Sequence, residues 1–224
     1  MRRRSLMPGG GHDFVPIRVQ NSPMQVSRRK FVIAASCLAA LSPGPAFAQN
    51  GSAMEFMNRL AGQVGVLVDD RNRPEAARRR EFQVIFNNAS DNREMARFAI
   101  GRYWAQLDDA QRRQYMALFP VYMAGYYWKT FNIYYGSGYA VLSQRTDASG
   151  TTIVHSQIEL TGERPAIDVD WHIVRENGAF KIVDVDLMGL SQNLSYRDYF
   201  ANLIEHNGGD VSVVLDTMRQ HPNG

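Results

Sequence analysis

Two stretches in the second half of the chain alternate strictly between apolar and polar residues: Ile167-Asp168-Val169-Asp170-Trp171-His172-Ile173 and Val183-Asp184-Val185-Asp186-Leu187. A period of two puts successive side chains on opposite sides of a strand, so each stretch has one apolar face and one acidic face. Between them, Asn177-Gly178 supplies residues that tolerate the positive φ angles of a tight hairpin. The strands therefore pair antiparallel, and their apolar side must be covered while the acidic side faces water. Further turn signals at residues 147–150 and 162–165 divide residues 139–187 into about four strands in meander order.

Upstream of residue 136 the period is 3.6. Residues 53–68 place Phe56, Met57, Leu60, Val64 and Leu67 on one helical face. A second helix begins near Pro74, a favourable first-turn residue, with Phe82, Ile85 and Phe86 as its apolar edge. Asp91 followed by Glu94 fits a capping box that opens a helix carrying Met95, Phe98, Ala99 and Tyr103. Asp108 or Asp109 caps a fourth, with Tyr115, Phe119, Tyr122 and Tyr126 on one side and Pro120 expected to kink or split it. Gly136-Ser137-Gly138 ends the helical pattern, and helices over residues 196–206 and 210–220, separated by Gly208-Gly209, close the chain. Helices first and strands second, with no internal repeat and no long linker, define one α+β domain over residues 49–224: a twisted antiparallel sheet covered by helices.

The N-terminus reads as a targeting segment. Arg28-Arg29-Lys30 precedes an apolar run from Phe31 to Leu41, too short to span a bilayer but of signal-peptide length, and Ala46-Phe47-Ala48 offers the small residues of a cleavage site before Gln49. Ser27-Arg28-Arg29-Lys30-Phe31 also resembles the twin-arginine export signal. Residues 1–23 fit no part of a signal peptide, and Met24 is the more natural start. The mature protein is therefore expected in the periplasm. Charge then changes its meaning. The whole chain is +3, yet its first 48 residues hold seven of the 25 bases and one of the 22 acids, so residues 49–224 carry 18 bases against 21 acids, a net −3. Nucleic acid loses its electrostatic argument as a partner. The single cysteine, Cys37, lies in the same leader, which removes disulfides, thiolate metal sites and a cysteine nucleophile from the mature chain.

Chemical motifs are sparse. His155, His172, His206 and His221 show no helical metal-pair spacing, and there is no nucleophile elbow or phosphate-binding glycine loop. No cofactor is implied. The pairs Asp168/Asp170 and Asp184/Asp186 lie on the polar side of their strands, where a solvated acidic surface is the expected outcome. The unusual feature is aromatic density: 12 of the 37 residues from Tyr103 to Tyr139 are Phe, Tyr or Trp, some adjacent, as in Tyr126-Tyr127-Trp128 and Tyr134-Tyr135. A helix apolar over so much of its circumference is either enclosed on several sides or lines a cavity, and tyrosines suit cavities because an apolar ring carries a polar tip.

Several of these segments resemble a known family. Phe98-Ala99-Ile100-Gly101-Arg102-Tyr103-Trp104, Gln111-Arg112-Arg113 with Phe119, and Ala124-Gly125-Tyr126 are similar to its helical part. Phe180-Lys181-Ile182-Val183-Asp184-Val185-Asp186-Leu187-Met188-Gly189-Leu190-Ser191, followed by Tyr196-Arg197-Asp198-Tyr199-Phe200, resembles its strand-to-helix signature. The family is MlaC, also called the toluene-tolerance auxiliary family of periplasmic phospholipid-binding proteins, and the resemblance spans nearly all of residues 53–220. It implies a soluble carrier, not an enzyme, that shields phospholipid acyl chains in an apolar cavity. It further implies that lipid passes between an inner-membrane ABC lipid transporter complex and an outer-membrane lipoprotein complex. Some relatives are associated with hopanoid lipids, which leaves hopanoid-related cargo as an alternative.

Physical chemistry agrees with that implication. Exposing two acyl chains of on the order of 30 methylenes to water costs about 24 kcal/mol, so a soluble carrier needs a deep apolar cavity near the upper end of ordinary pocket sizes, roughly 1,000 Å³. Candidates for its lining are Val154, Ile158, Val169, Trp171, Ile173, Val185 and Leu187 on the sheet and Phe119, Tyr122, Met123, Tyr126, Tyr199 and Leu203 on the helices. Arg197 is expected to tie its helix to the sheet through Asp184 or Asp186. Two other classes remain open. A small isomerase-like enzyme would need a carboxylate inside the cavity, and an adaptor without ligand would fill its interior with side chains.

Overall fold

Ser52 starts the first helix by a reciprocal cap: its Oγ accepts from the Glu55 amide at 3.2 Å, and the Glu55 carboxylate accepts from the Ser52 amide at 3.0 Å. The computed structural model describes residues 51–133, 137–160 and 165–222, all within one compact unit. The proposed leader, the Tyr134-Tyr135 pair, Gly136 and most of the turn at residues 162–165 lie outside the described residues.

Helix α1 spans Ala53–Asp69, α2 Glu75–Ala89 and α3 Asn92–Ile100. Asp91 caps α3 through the amides of Arg93 and Glu94, at 3.1 and 2.9 Å. The reciprocal half of the expected box is replaced, because the Asp91 amide donates to the Ile182 carbonyl instead. A 3-10 turn, Gly101–Gln106, leads into α4, Asp109–Ile133. Gly101 sits at φ +52°, and a Cβ there would come within 3.3 Å of Arg197 Nε, so both conformation and space call for glycine.

The sheet has five strands in sequential order, β1 Gly138–Thr146, β2 Thr152–Glu159, β3 Ile167–Glu176, β4 Ala179–Leu187 and β5 Leu190–Ser191, all antiparallel. About four were expected; the fifth is two residues long, below what periodicity detects. The β3–β4 turn takes positive φ at both Asn177 (49°) and Gly178 (82°), as its sequence requires. Helices α5, Gln192–His206, and α6, Ser212–Gln220, complete the chain. Helix α5 begins four residues before its expected start because Ser191 caps it through the Leu194 amide at 3.1 Å.

Register explains the two faces. Val154 opposes Trp171, which opposes Val185, and all three are buried. His155 opposes Asp170, which opposes Asp186, on the outer side. A bulge between His172 and Ile173 makes Val183 the extra residue, so Ile182 and Val185 both point inward, at 4% and 3% exposure.

Helix α4 differs from expectation. It runs unbroken through Pro120 even though that residue donates no backbone hydrogen bond. Packing against α2 and α3 and, further along, α6 holds it in place, and its buried residues include Tyr115, Phe119, Tyr122, Met123, Tyr127 and Trp128.

The expected Arg197 pairing is corrected too. Asp184 accepts instead from the Asn193 amide at 3.0 Å and from Ser191 Oγ at 2.5 Å, and Asp186 pairs with His172 Nε2 at 3.1 Å. Arg197 lies with its guanidinium 5.4 Å over the Phe98 ring, joining α5 to α3.

Candidate functional site: an apolar cavity between helices and sheet

Helix α1 lies along β1, its Met54 amide donating to Gln144 Oε1 at 3.1 Å, and α2 returns beside it. The two helices and the inner face of the sheet do not close completely. Between them is a cavity of about 150 Å³. Helix α1 contributes Met57, Leu60, Val64 and Val68, α2 contributes Phe82, Ile85, Phe86 and Ala89, α4 contributes Tyr127 and Phe131, and the sheet contributes Tyr139, Ile158, Trp171, Ile182 and Val185. Its acidic lining residue among those described, Asp69, is exposed. A 150 Å³ apolar void is the size that accepts one benzene ring and stays dry when empty. It is far smaller than the roughly 1,000 Å³ expected of a filled lipid chamber.

The walls are aromatic and interlocked. Phe86 lies 5.3 Å from Tyr127, Tyr127 stacks on Phe131 at 6.0 Å, and Phe131 meets Trp171 at 6.2 Å. Trp171 Nε1 donates to Ser156 Oγ at 2.9 Å, and Ser156 in turn donates to the Val169 carbonyl at 3.0 Å, so the indole is fixed by a satisfied buried pair. At the α1–α2 loop, Arg78 is 3% exposed and donates to the carbonyls of Leu67 and Val68, at 3.0 and 3.2 Å, closing the C-terminal turn of α1.

Of the residues chosen from the sequence, Ile158, Trp171 and Val185 line this cavity. Val154, Val169 and Ile173 share the inner sheet face but are packed at 0–1% exposure outside its lining, and Leu187 is half-buried. Phe119, Tyr122 and Tyr126 belong to a different contact, the seam between α4 and α5. There Tyr122 meets Tyr196 at 6.1 Å, Tyr126 meets Tyr196 at 5.4 Å, and Tyr115, which packs on Phe119 at 5.7 Å, meets Phe200 at 6.4 Å. Tyr199 borders that seam, 5.7 Å from Phe200, Leu203 is half-buried against the core, and Met123 is fully buried. The residues that spacing did not single out as lining include those of α1 and α2, Tyr127 and Phe131 of α4, and Tyr139 and Ile182 of the sheet. Their apolar periodicity was visible, but nothing in it marks an incompletely filled side.

Burial dominates the ionisation behaviour of this region. It pushes the Tyr127 hydroxyl well above the ordinary tyrosine value, with the nearby Asp184 charge adding to the effect, and it raises Tyr139 as well. Both hydroxyls stay protonated at neutral pH. The acidic strand face lies on the other side of the sheet, with Asp170 Oδ1 2.7 Å from His155 Nδ1 and Asp168 accepting from Gln157 Nε2 at 2.8 Å. Among the described residues no group of three or more His, Cys, Asp or Glu is placed to hold a metal ion, and no helix is long and apolar enough to cross a membrane.

The fold has a counterpart among solved proteins. The phospholipid-binding protein from Ralstonia solanacearum, solved in complex with a phospholipid, superposes with a TM-score of 0.64 at 18% sequence identity, covering 77% of this chain and 97% of that one. No curated protein matches the sequence. The family described as "MlaC protein" matches residues 62–220, which take in the C-terminal part of α1 and every element after it up to the end of α6. This chain belongs to the MlaC family.

Proposed function

We propose that this protein is a periplasmic lipid carrier. It takes a phospholipid by its acyl chains into the space between α1, α2 and the sheet, and shuttles it between an inner-membrane ABC transporter complex and an outer-membrane lipoprotein complex. The observation that carries the reading is the cavity, whose walls are apolar or aromatic apart from a few hydroxyl-bearing residues and Asp69. Family membership and the phospholipid held by the Ralstonia solanacearum protein support it. At about 150 Å³ the cavity is too small for two chains, and their admission would require α1 and α2 to separate from the sheet. That movement exposes little that is not apolar. An isomerase-like reading has less support, because Asp168 and Asp170 face outward, the lining carboxylate Asp69 is exposed, and Asp184 is engaged by Ser191 and the Asn193 amide.

Native mass spectrometry of protein prepared from a bacterial periplasm tests the proposal. One phospholipid per chain is expected, on a polypeptide beginning at Gln49. Lipid-free protein that also takes up nothing from vesicles overturns the carrier reading, and a polycyclic lipid in the spectrum moves it to the hopanoid-related alternative.

A further inference from the structure

We propose that Ser90 and Tyr127 form a hydrogen-bonding station in the cavity wall that donates to the ester carbonyl oxygens of a diacyl lipid, an inference that rests on the carrier reading above. Both residues line the cavity, and both hydroxyl oxygens are inaccessible and have no hydrogen-bond partner among the described residues. A buried hydroxyl left unpaired destabilises the fold that contains it, so the three in this lining, on Ser90, Tyr127 and Tyr139, call for an explanation beyond packing. An acyl chain offers them nothing.

Both also border Phe86. The Ser90 amide donates to the Phe86 carbonyl at 2.9 Å, and the Tyr127 ring lies 5.3 Å from the Phe86 ring, so the two hydroxyl-bearing residues flank one phenylalanine. Ser90 forms an isolated bridge with Ile182 of β4, which fixes this end of the cavity against the sheet. Asp69 lies at the opposite end of the α1–α2 hairpin, because the length of α2 separates its loop from Ser90. No cationic lining residue accompanies the two hydroxyls, and the Asp184 charge acts on Tyr127, so a phosphate drawn to them would be left uncompensated. A neutral acceptor fits. Tyr127 remains a donor throughout the physiological range because burial keeps it protonated.

The surroundings orient the ligand. Ser90 is shared between the apolar cavity and an outer polar groove that carries Arg93, Arg97 and Lys181 as well as Asp91, Glu94 and Glu176. In a diacyl lipid the ester carbonyls stand between hydrocarbon and charged headgroup, and Ser90 stands between the corresponding parts of the protein.

Binding of diacyl and dialkyl phosphatidylcholine of equal chain length to delipidated protein tests this, since the dialkyl lipid keeps the headgroup and chains but has no carbonyls. Wild-type protein is expected to prefer the diacyl lipid by roughly tenfold, with Tyr127→Phe and Ser90→Ala each shrinking that preference several-fold. Equal affinity of wild-type protein for the two lipids overturns the inference and leaves the carrier reading standing. Failure to bind either overturns both. A melting temperature of lipid-free Tyr127→Phe clearly below wild type also overturns it, because the hydroxyl would then have a structural partner.

Discussion

The guanidinium of Arg78 lies 5.3 Å over the indole of Trp128, joining α2 to α4 at the same point where its Nη1 closes the end of α1. Trp128 is held in turn by donating from Nε1 to Glu75 at 3.3 Å. Three helices are thus locked at one end of the cavity by a single buried side chain.

Replacing Arg78 with Met keeps most of the aliphatic stem but loses two hydrogen bonds and the cation–π contact. The expected cost is about 2–4 kcal/mol, or roughly 5–15 °C in melting temperature for a domain of this size. Thermal denaturation of lipid-free protein checks it, and a change within 1 °C would show that the contacts contribute nothing net.

Gly65 lines the cavity with nothing within 4 Å of where a Cβ would stand. Gly65→Ala should raise stability by about 0.5–1 kcal/mol through helix propensity. Gly65→Phe should place its ring in the void and lower the phospholipid content of purified protein. Full lipid content in a folded Gly65→Phe variant, measured by extraction and mass spectrometry, would locate the acyl chains elsewhere.

The outer sheet face is predicted to be dispensable for cargo. Asp168→Asn combined with Asp170→Asn removes both acidic neighbours of His155, at 3.6 and 2.7 Å, on a partly exposed surface. Stability should change by about 0–1 kcal/mol and lipid content should not change. Loss of lipid from the folded double variant would reverse the assignment of faces.

Alkaline pH should unfold the protein through its buried tyrosines. Burial raises Tyr115, Tyr127 and Tyr196 well above the ordinary value. In the unfolded chain each ionises near pH about 10, while in the folded chain each keeps its proton, so the folded state binds more protons above that pH. The stability these groups contribute is intact below pH about 10 and falls as pH rises beyond it. Tyr115→Phe should make the fall shallower, while costing about 1 kcal/mol at neutral pH through the lost bond to the Ala96 carbonyl. Urea denaturation between pH 8 and about 11 reads both effects.

Sequence pattern told more about the sheet than about the cavity. Alternation in residues 167–173 placed Asp168 and Asp170 outside and Val169 and Trp171 inside, because a sheet covered on one side enforces a period of two. It missed the extra residue Val183, since a bulge leaves no mark in local composition, and so missed Ile182 as an inward residue. On α4 the difficulty was different. Tyr126 and Tyr127 are neighbours of equal apolar character, one turned to Tyr196 and the other to Phe86, and the stretch of α4 over residues 121–128, with no exposed position, has no polar side to fix its rotation. On α1 and α2 the apolar residues were legible, but a wall facing a void and a wall facing another side chain select the same residue types.

The small size of the resting cavity has an energetic consequence. At about 24 cal/mol per Å³ of empty space, a void of 150 Å³ costs about 4 kcal/mol, which a fold stabilised by roughly 5–15 kcal/mol withstands. A permanent vacancy of roughly 1,000 Å³ would cost about 24 kcal/mol and leave no folded protein. For the carrier function proposed above, lipid would therefore stand in for missing core, and a wall that closes behind a departing lipid would oppose its return.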